Sequence, residues 1–486
     1  MQSDIKQRTI IGMMWSAFQK FGTLIISFVS NIVLARLLAP DDFGCVGMLA
    51  IFISLSFNFI DSGFGSALIQ KKEPTEADYS TIFHWNLVLS FALYSVLFFS
   101  APAIARFYRL EVLSSVLRAE GVILIIHALS IIQSNQLRKQ LRFKQLALIN
   151  IVSSFLSLIL TIVLAKMGWG VWALVAQQVS MSLVSTIMLW GVNSWRPRFL
   201  FSWSSFKELF GFGGYILASS FVNSFCDNVQ GLLIGRFYNA STMGYYSQAY
   251  KLEQVASKGL ADVIAQVTYP VFAEYQNNKK QLVMVLQRFI WSLAFISFPL
   301  MLLLIVIAEP LIILLYSAKW IACVPFFQVL CVAGIAISMQ GVNYYAVAAL
   351  GKSDVIFRWT IVKRLVGLLF IVLGLVFGGI KGLLLGMVAS SYNLYFVNAW
   401  LSSKYTGYKL SEQIKDLLPI IIVSSISFLI ALSLKFFISD KIFVRGAIQT
   451  IVFLVSYLGI SSVLKIKAVE SCSILFNTIR SKFSLR

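Results

Sequence analysis

What this chain has least of is charge. Asp, Glu, Lys and Arg make up 12% of its 486 residues while hydrophobic residues make up 58%, and the mean hydropathy is +0.82. A soluble domain carries about a quarter charged residues, so a water-soluble enzyme or module is excluded as the main body of the chain. Histidine is rarer still: His84 and His127 are the only two, and neither belongs to a ligand motif. The five cysteines, Cys45, Cys226, Cys323, Cys331 and Cys472, lie in apolar or small-residue context without metal-ligand spacing, so neither a metal nor a cofactor is expected. A short hydrophobic stretch followed by a small-residue cleavage site is also missing. The first apolar run continues from Ile10 through Leu38, and that helix is expected to stay.

What is present is long apolar blocks. A hydrocarbon core of about 30 Å needs roughly 20 apolar residues per helical crossing. Runs bounded by Gly, Pro and charge predict spans near 11–37, 43–68, 81–105, 113–136, 144–166 and 169–192, then near 210–237, 244–272, 286–308, 321–349, 357–377 and 380–402. Two more fall near 416–437 and 443–465. The fold expected is an all-α polytopic membrane protein of about fourteen transmembrane helices. It divides into a six-helix lobe over 1–195, a second over 196–405, and two further helices with a basic tail over 406–486.

The net charge of +20 sits in the links between these runs, which suits membrane topology rather than a nucleic-acid partner. Most Lys and Arg fall on one side when the links are alternated, placing both termini in the cytoplasm. The span at 244–272 is the most polar, holding Lys251, Glu253, Lys258 and Asp262. It is kept as a crossing because otherwise every later link would change sides and the basic majority would face outward.

The chain also repeats itself. Val33-Leu34-Ala35-Arg36 with Gly44 recurs as Leu233-Ile234-Gly235-Arg236 with Gly244 at the same spacing. Pro102 with Tyr108 matches Pro310 with Tyr316, and Gly168 with Leu174 matches Gly378 with Leu384. Six crossings return the chain to its starting side, so the halves share one orientation about a pseudo-two-fold along the membrane normal, and substrate is expected between them.

Polar side chains recur at three- and four-residue steps on the first two helices of each half, and so share helix faces. The first span carries Ser16, Lys20, Thr23, Ser27 and Asn31; the second Ser54, Asn58, Asp61 and Gly65. The seventh carries Ser220, Asn223, Ser224, Asp227 and Gln230, and the eighth Lys251, Gln254, Lys258, Asp262 and Tyr269. Intramembrane charge is costly unless it faces protein or water, so Lys20, Asp61, Asp227, Lys251, Lys258 and Asp262 are expected to line a hydrated cavity. The alternative is structural: Lys258 and Asp262 as an ion pair and the Ser and Asn stripes as interhelical contacts. Lysines suit an anionic cargo such as phosphate, and Asp61, Asp227, Glu253 and Asp262 are candidates to carry a coupling proton or sodium ion. Arg36 and Arg236, at helix ends, suit either ligand binding or a structural clasp. His84 and His127 read as packing residues, and Pro270, Pro299 and Pro310 as helix kinks or ends.

Leu34-Ala35-Arg36-Leu37-Leu38 through Phe43-Gly44, and Asp61-Ser62-Gly63-Phe64-Gly65 leading to Leu68-Ile69-Gln70-Lys71-Lys72, resemble the polysaccharide transporters of the multidrug/oligosaccharidyl-lipid/polysaccharide exporter superfamily, the O-antigen and colanic-acid type flippases above all. Leu233-Ile234-Gly235-Arg236, Met243-Gly244-Tyr245-Tyr246, Tyr250-Lys251-Leu252 and Tyr269-Pro270-Val271-Phe272 carry the likeness through the second half. The resemblance implies two six-helix lobes in a V and movement of an undecaprenyl-pyrophosphate-linked oligosaccharide, for O-antigen, capsule or exopolysaccharide, across a bacterial inner membrane by alternating access. It implies Lys20, Lys251 and Lys258 as pyrophosphate partners; Arg36, Arg236, Asn31 and Asn58, taken from the polar helix faces and helix ends, are further candidates for the substrate cavity. Membrane lipids, a polysaccharide polymerase and chain-length machinery are the implied partners. A multidrug exporter or a peptidoglycan-precursor flippase of the same superfamily is the nearest rival. An enzyme such as a polymerase or ligase is disfavoured, because every link is short and no nucleophile is paired with a base.

Overall fold

The computed structural model describes residues 2–61, 63–436 and 441–466; side chains at 2–14, 16–18, 66, 212, 215–216, 262–267 and 353 lie outside the description. All regular structure among the described residues is helical. Two compact units result, Met1–Ser247 and Gln248–Arg486.

The first unit contains α1 (Gln2–Leu37), α2 (Pro40–Asp61), the short α3 (Phe64–Gln70), α4 (Glu76–Tyr108), α5 (Val112–Lys139), α6 (Phe143–Lys166), α7 (Val171–Val192) and α8 (Trp203–Phe237), with the start of α9 (Ala240–Glu274). The second contains the rest of α9, α10 (Lys279–Val306), α11 (Ala308–Tyr316), α12 (Val324–Ala349), α13 (Ser353–Thr406), α14 (Leu410–Ser433) and α15 (Ile442–Val463). The 54 residues of α13 are two helices joined at Gly379, whose φ of 56° and ψ of −141° are open only to glycine. With that division, fourteen helices of at least 22 residues among the described residues fall in order at the fourteen expected spans, and eleven candidate spans are both long and apolar enough to cross a membrane. The polar eighth span is a single helix of 35 residues.

The second span differs from expectation: its helix stops at Asp61 and restarts as α3 after Gly63, which takes a left-handed φ of 70°. Gly65 therefore does not continue the polar face of α2. Pro270 and Pro299 lie inside α9 and α10, and Pro310 in the first turn of α11. Thr75 caps α4 reciprocally, accepting from the Asp78 amide at 3.2 Å while Asp78 accepts from the Thr75 amide at 2.8 Å.

The repeat is visible as a reciprocal contact. A Cβ on Gly44 would overlap the Ala240 carbonyl, and a Cβ on Gly244 would overlap the Pro40 carbonyl. Asp41 accepts from the Ser241 hydroxyl at 2.6 Å, a pair 200 residues apart. The start of α2 thus crosses the start of α9 about a local two-fold, and the missing side chains let the backbones touch. Tyr108 and Tyr316, matched in sequence, are each the buried last residue of their helix. The third match shifts slightly: Gly170, with φ 52° and ψ −128°, is the conformational counterpart of Gly379, rather than Gly168 of Gly378.

Candidate functional site

In the first unit, polar groups converge where the end of α2 meets α5, α6 and α7. A cavity of about 250 Å³ opens there. One face of α5 supplies His127, Ser130, Ser134 and Arg138, at the three- and four-residue steps that stack side chains on a helix. Asn150 of α6 and Ser185 of α7 face them. Asp61 closes the site from α2, its Oδ1 3.5 Å from His127 Nε2, and Phe57 meets the imidazole edge-on at 4.8 Å between ring centres. Arg138 lines the basic end and has no carboxylate partner among the described residues. Guanidinium, imidazole, hydroxyl, amide and carboxylate in one cavity offer donors and acceptors together, the chemistry that holds a hydroxyl-rich or phosphorylated ligand.

The α1 stripe stays largely uncovered. Lys20 and Ser27 are exposed and Thr23 and Asn31 half-buried; the Ser16 side chain lies outside the described residues. Asn58 is half-buried with its amide nitrogen lacking a hydrogen-bond partner, and Asp227 is exposed on α8. The two arginines sit at helix ends. Arg36 is exposed, while Arg236 donates to the Phe107 carbonyl at 2.6 Å and stacks on that residue's ring at 4.9 Å, so it clasps α8 to the end of α4.

In the second unit, Lys251 and Lys258 are exposed two turns apart on α9. Glu253, between them, turns inward and is 1% exposed; its oxygens make no hydrogen bond of normal geometry, and Gly334 of α12 and Met301 of α10 pack around it. The side chain of Asp262 lies outside the described residues. A second cavity, of about 620 Å³, is walled mainly by aliphatic residues of α10, α12 and α14, with the Glu309–Arg445 ion pair, 2.9 Å apart, among its lining.

Sequence reading had not singled out the features that follow. His127, read as a packing residue, faces Asp61; the spacing of His127, Ser130, Ser134 and Arg138 was the available signal. Lys363 is 5% exposed inside α13, donates to Asn398 Oδ1 at 2.7 Å and lies over the Tyr344 ring.

The profile of a family described as "Polysaccharide biosynthesis protein" matches residues 33–325, more than half of the chain. The chain is 29% identical to the teichuronic acid biosynthesis protein TuaB of Bacillus subtilis (strain 168), over 73% of its own length and 74% of the relative's. It is 24% identical to the lipopolysaccharide biosynthesis protein WzxC of Escherichia coli (strain K12), over 82% and 85%. Among solved structures, the lipid II flippase MurJ in an inward closed conformation superposes with a TM-score of 0.76 at 15% identity, over 94% of this chain and all of that one. At that identity the likeness establishes the fold.

Proposed function

The chain belongs to the polysaccharide biosynthesis protein family, and from that premise we propose that it is a flippase for a lipid-linked oligosaccharide. It moves the sugar-bearing headgroup of an undecaprenyl-pyrophosphate carrier from the cytoplasmic to the outer leaflet of a bacterial inner membrane, with both termini in the cytoplasm. The observation that carries this reading is the conjunction of a flippase fold with relatives named for surface-polysaccharide synthesis. The polar cavity of the first unit supports it, since a sugar headgroup needs paired donors and acceptors to leave water. Lys20, Lys251 and Lys258 are the cations assigned to the pyrophosphate in this reading, since an ammonium is a strong point-charge partner for phosphate. Glu253, buried with no hydrogen bond of normal geometry to its oxygens, is the coupling candidate best suited to carry a proton.

Deletion of the gene in its own host tests the reading. Loss of one surface glycan, with its lipid-linked repeat unit accumulating on the cytoplasmic face, is expected. Unchanged glycans with altered drug susceptibility would replace the flippase by a multidrug exporter.

A further inference from the structure

Glu120 is an acid that the flippase reading leaves unused. It stands on α5 two turns before His127 and is 2% exposed. Oε1 accepts from the Gln178 amide of α7 at 3.0 Å, and Oε2 meets no donor. Among the described residues no cation of the surrounding helices is paired with it; on α4, His84 bonds the Ser80 carbonyl and Arg106 donates to the Pro102 carbonyl. Between Val171 and Val192, α7 carries no ionisable side chain, and α3 carries none either. From α4 the neighbour is the Tyr94 ring, which packs on Gly121. Arg118 of α5 itself is engaged elsewhere, stacking on Phe98 at 4.5 Å and donating to that residue's carbonyl at 3.2 Å. The lysines of α6, Lys144 and Lys166, stand at its two ends. On α2 the acids Asp41, Asp42 and Asp61 are also terminal, the last against His127.

A carboxylate in this setting would leave a full charge with one neutral amide to answer it, and desolvation outweighs what that single bond returns. A carboxylic acid fits: the carbonyl oxygen takes the Gln178 amide and the other oxygen keeps the proton. We propose that Glu120 is a proton-binding site inside the first unit, neutral while α5 and α7 are closed on it, and that it releases its proton to water when that seam opens. The exchange balances simply, the carboxylic acid giving one proton to water as a hydronium ion and later recovering one.

The same stretch of α7 reaches a third helix. Gln177, beside Gln178, donates to Ser30 Oγ of α1 at 2.7 Å. A displacement of α7 that hydrates Glu120 therefore acts on α1, the helix bearing Lys20 and Asn31. The proton site is independent of cargo; its coupling to movement of the sugar lipid rests on the flippase reading.

Infrared spectroscopy of the full chain in proteoliposomes decides the first part. The carboxylic-acid carbonyl band is expected to lose one component in Glu120→Gln, and in Gln178→Leu, which keeps the acid but removes its amide, that component is expected to shift. Wild-type spectra superimposable on those of both variants overturn the site. Reaction of the wild-type protein with dicyclohexylcarbodiimide, followed by peptide mapping, gives a measurement free of variants: modification of Glu120 that fades as the pH is raised supports it, and modification at Glu120 that is the same at every pH overturns it. For coupling, movement of a fluorescent lipid-linked oligosaccharide is measured with and without a pH gradient. A several-fold stimulation in the wild type that falls to none in Glu120→Gln supports the role, and stimulation that survives overturns it. If no sugar lipid moves at all, the flippase reading fails while the infrared result still decides the proton site.

Discussion

Both units press helix backbones together through paired glycines, but over different sequence distances and around different interiors. In the first, Gly44 and Gly244 face the carbonyls of Ala240 and Pro40, joining pieces from opposite halves of the repeat. In the second, Gly374 and Gly382 face each other's carbonyls across the Gly379 kink, a joint within one hairpin. At the far end of α2 from that joint the first unit encloses a polar cavity; the larger cavity of the second unit is mostly aliphatic. The same device, a missing Cβ, thus serves a long-range crossing in one unit and local folding in the other. Its loss should matter in proportion.

The sharpest way to break the contrast is to add side chains at the joints. Gly244→Val drives a branched side chain into the Pro40 backbone, which cannot yield as a flexible side chain would, and is expected to cost about 3 kcal/mol or more. Gly382→Val should cost less, because the hairpin can open without parting distant segments, and Gly459→Val, which meets open space, should cost little. Thermal unfolding of the three purified proteins in detergent checks the order. Equal loss for Gly244→Val and Gly382→Val would remove the distinction.

The interiors give the next test. Glu253 is buried against glycine and methionine, with no hydrogen bond of normal geometry and only Ser257 and Lys258 of its own helix to offset its desolvation. Glu253→Met, of similar volume, is expected to raise stability by roughly 1–3 kcal/mol while stopping export if the acid carries the coupling proton. Asp61→Asn in the first unit should behave oppositely: the carboxylate is exposed, so unfolding hardly moves, while export falls several-fold with loss of the His127 contact. Lys20→Ala and Lys258→Ala are expected to lower export more mildly and leave insertion intact. Surface glycan per unit of membrane protein reads out all four variants, and normal glycan with Asp61→Asn would remove the cavity from the transport route.

Much of this was legible in advance because lipid imposes one rule on the backbone, and twenty-residue apolar runs are hard to miss. Even the polar α9 could be placed, since the charge of every later link depended on it. The break at Gly63 carried a signal that was passed over: Asp61-Ser62-Gly63 interrupts the apolar run between α2 and α3, and the left-handed angle at Gly63 marks the corner. Glu120 and Lys363 were missed for a different reason. Each is a charged residue about two turns into its span, outside the polar stripes that spacing picks out, and only packing with α7 or with Asn398 and Tyr344 shows them buried. The lysine stripes were read from spacing alone, and spacing cannot distinguish a ligand from an interface.

The smallest effect expected lies at the basic end of the first unit, where Lys71 ties α3 to α4 and α8. Its ammonium donates to Glu208 at 3.0 Å and Asp78 at 3.2 Å, while Lys139 donates to the Leu68 and Lys71 carbonyls that end α3. Desolvation pulls the Lys71 pKa down, but the bonds to Glu208 and Asp78 outweigh it and leave the pKa above the ordinary lysine value. A cation whose pKa is raised by folding stabilises the fold fully below its unfolded value, and that contribution is lost as pH climbs through the folded value. The clasp should therefore be intact throughout the neutral range and weaken only in strong alkali, beyond the ordinary lysine range. Because Glu208 is largely exposed, Lys71→Met should cost about 0.5 kcal/mol, and less at high salt. Unfolding midpoints of wild type and Lys71→Met should differ at neutral pH and converge in strong alkali; a gap that stays constant with pH would show that packing of the lysine stem, not its charge, holds this end together.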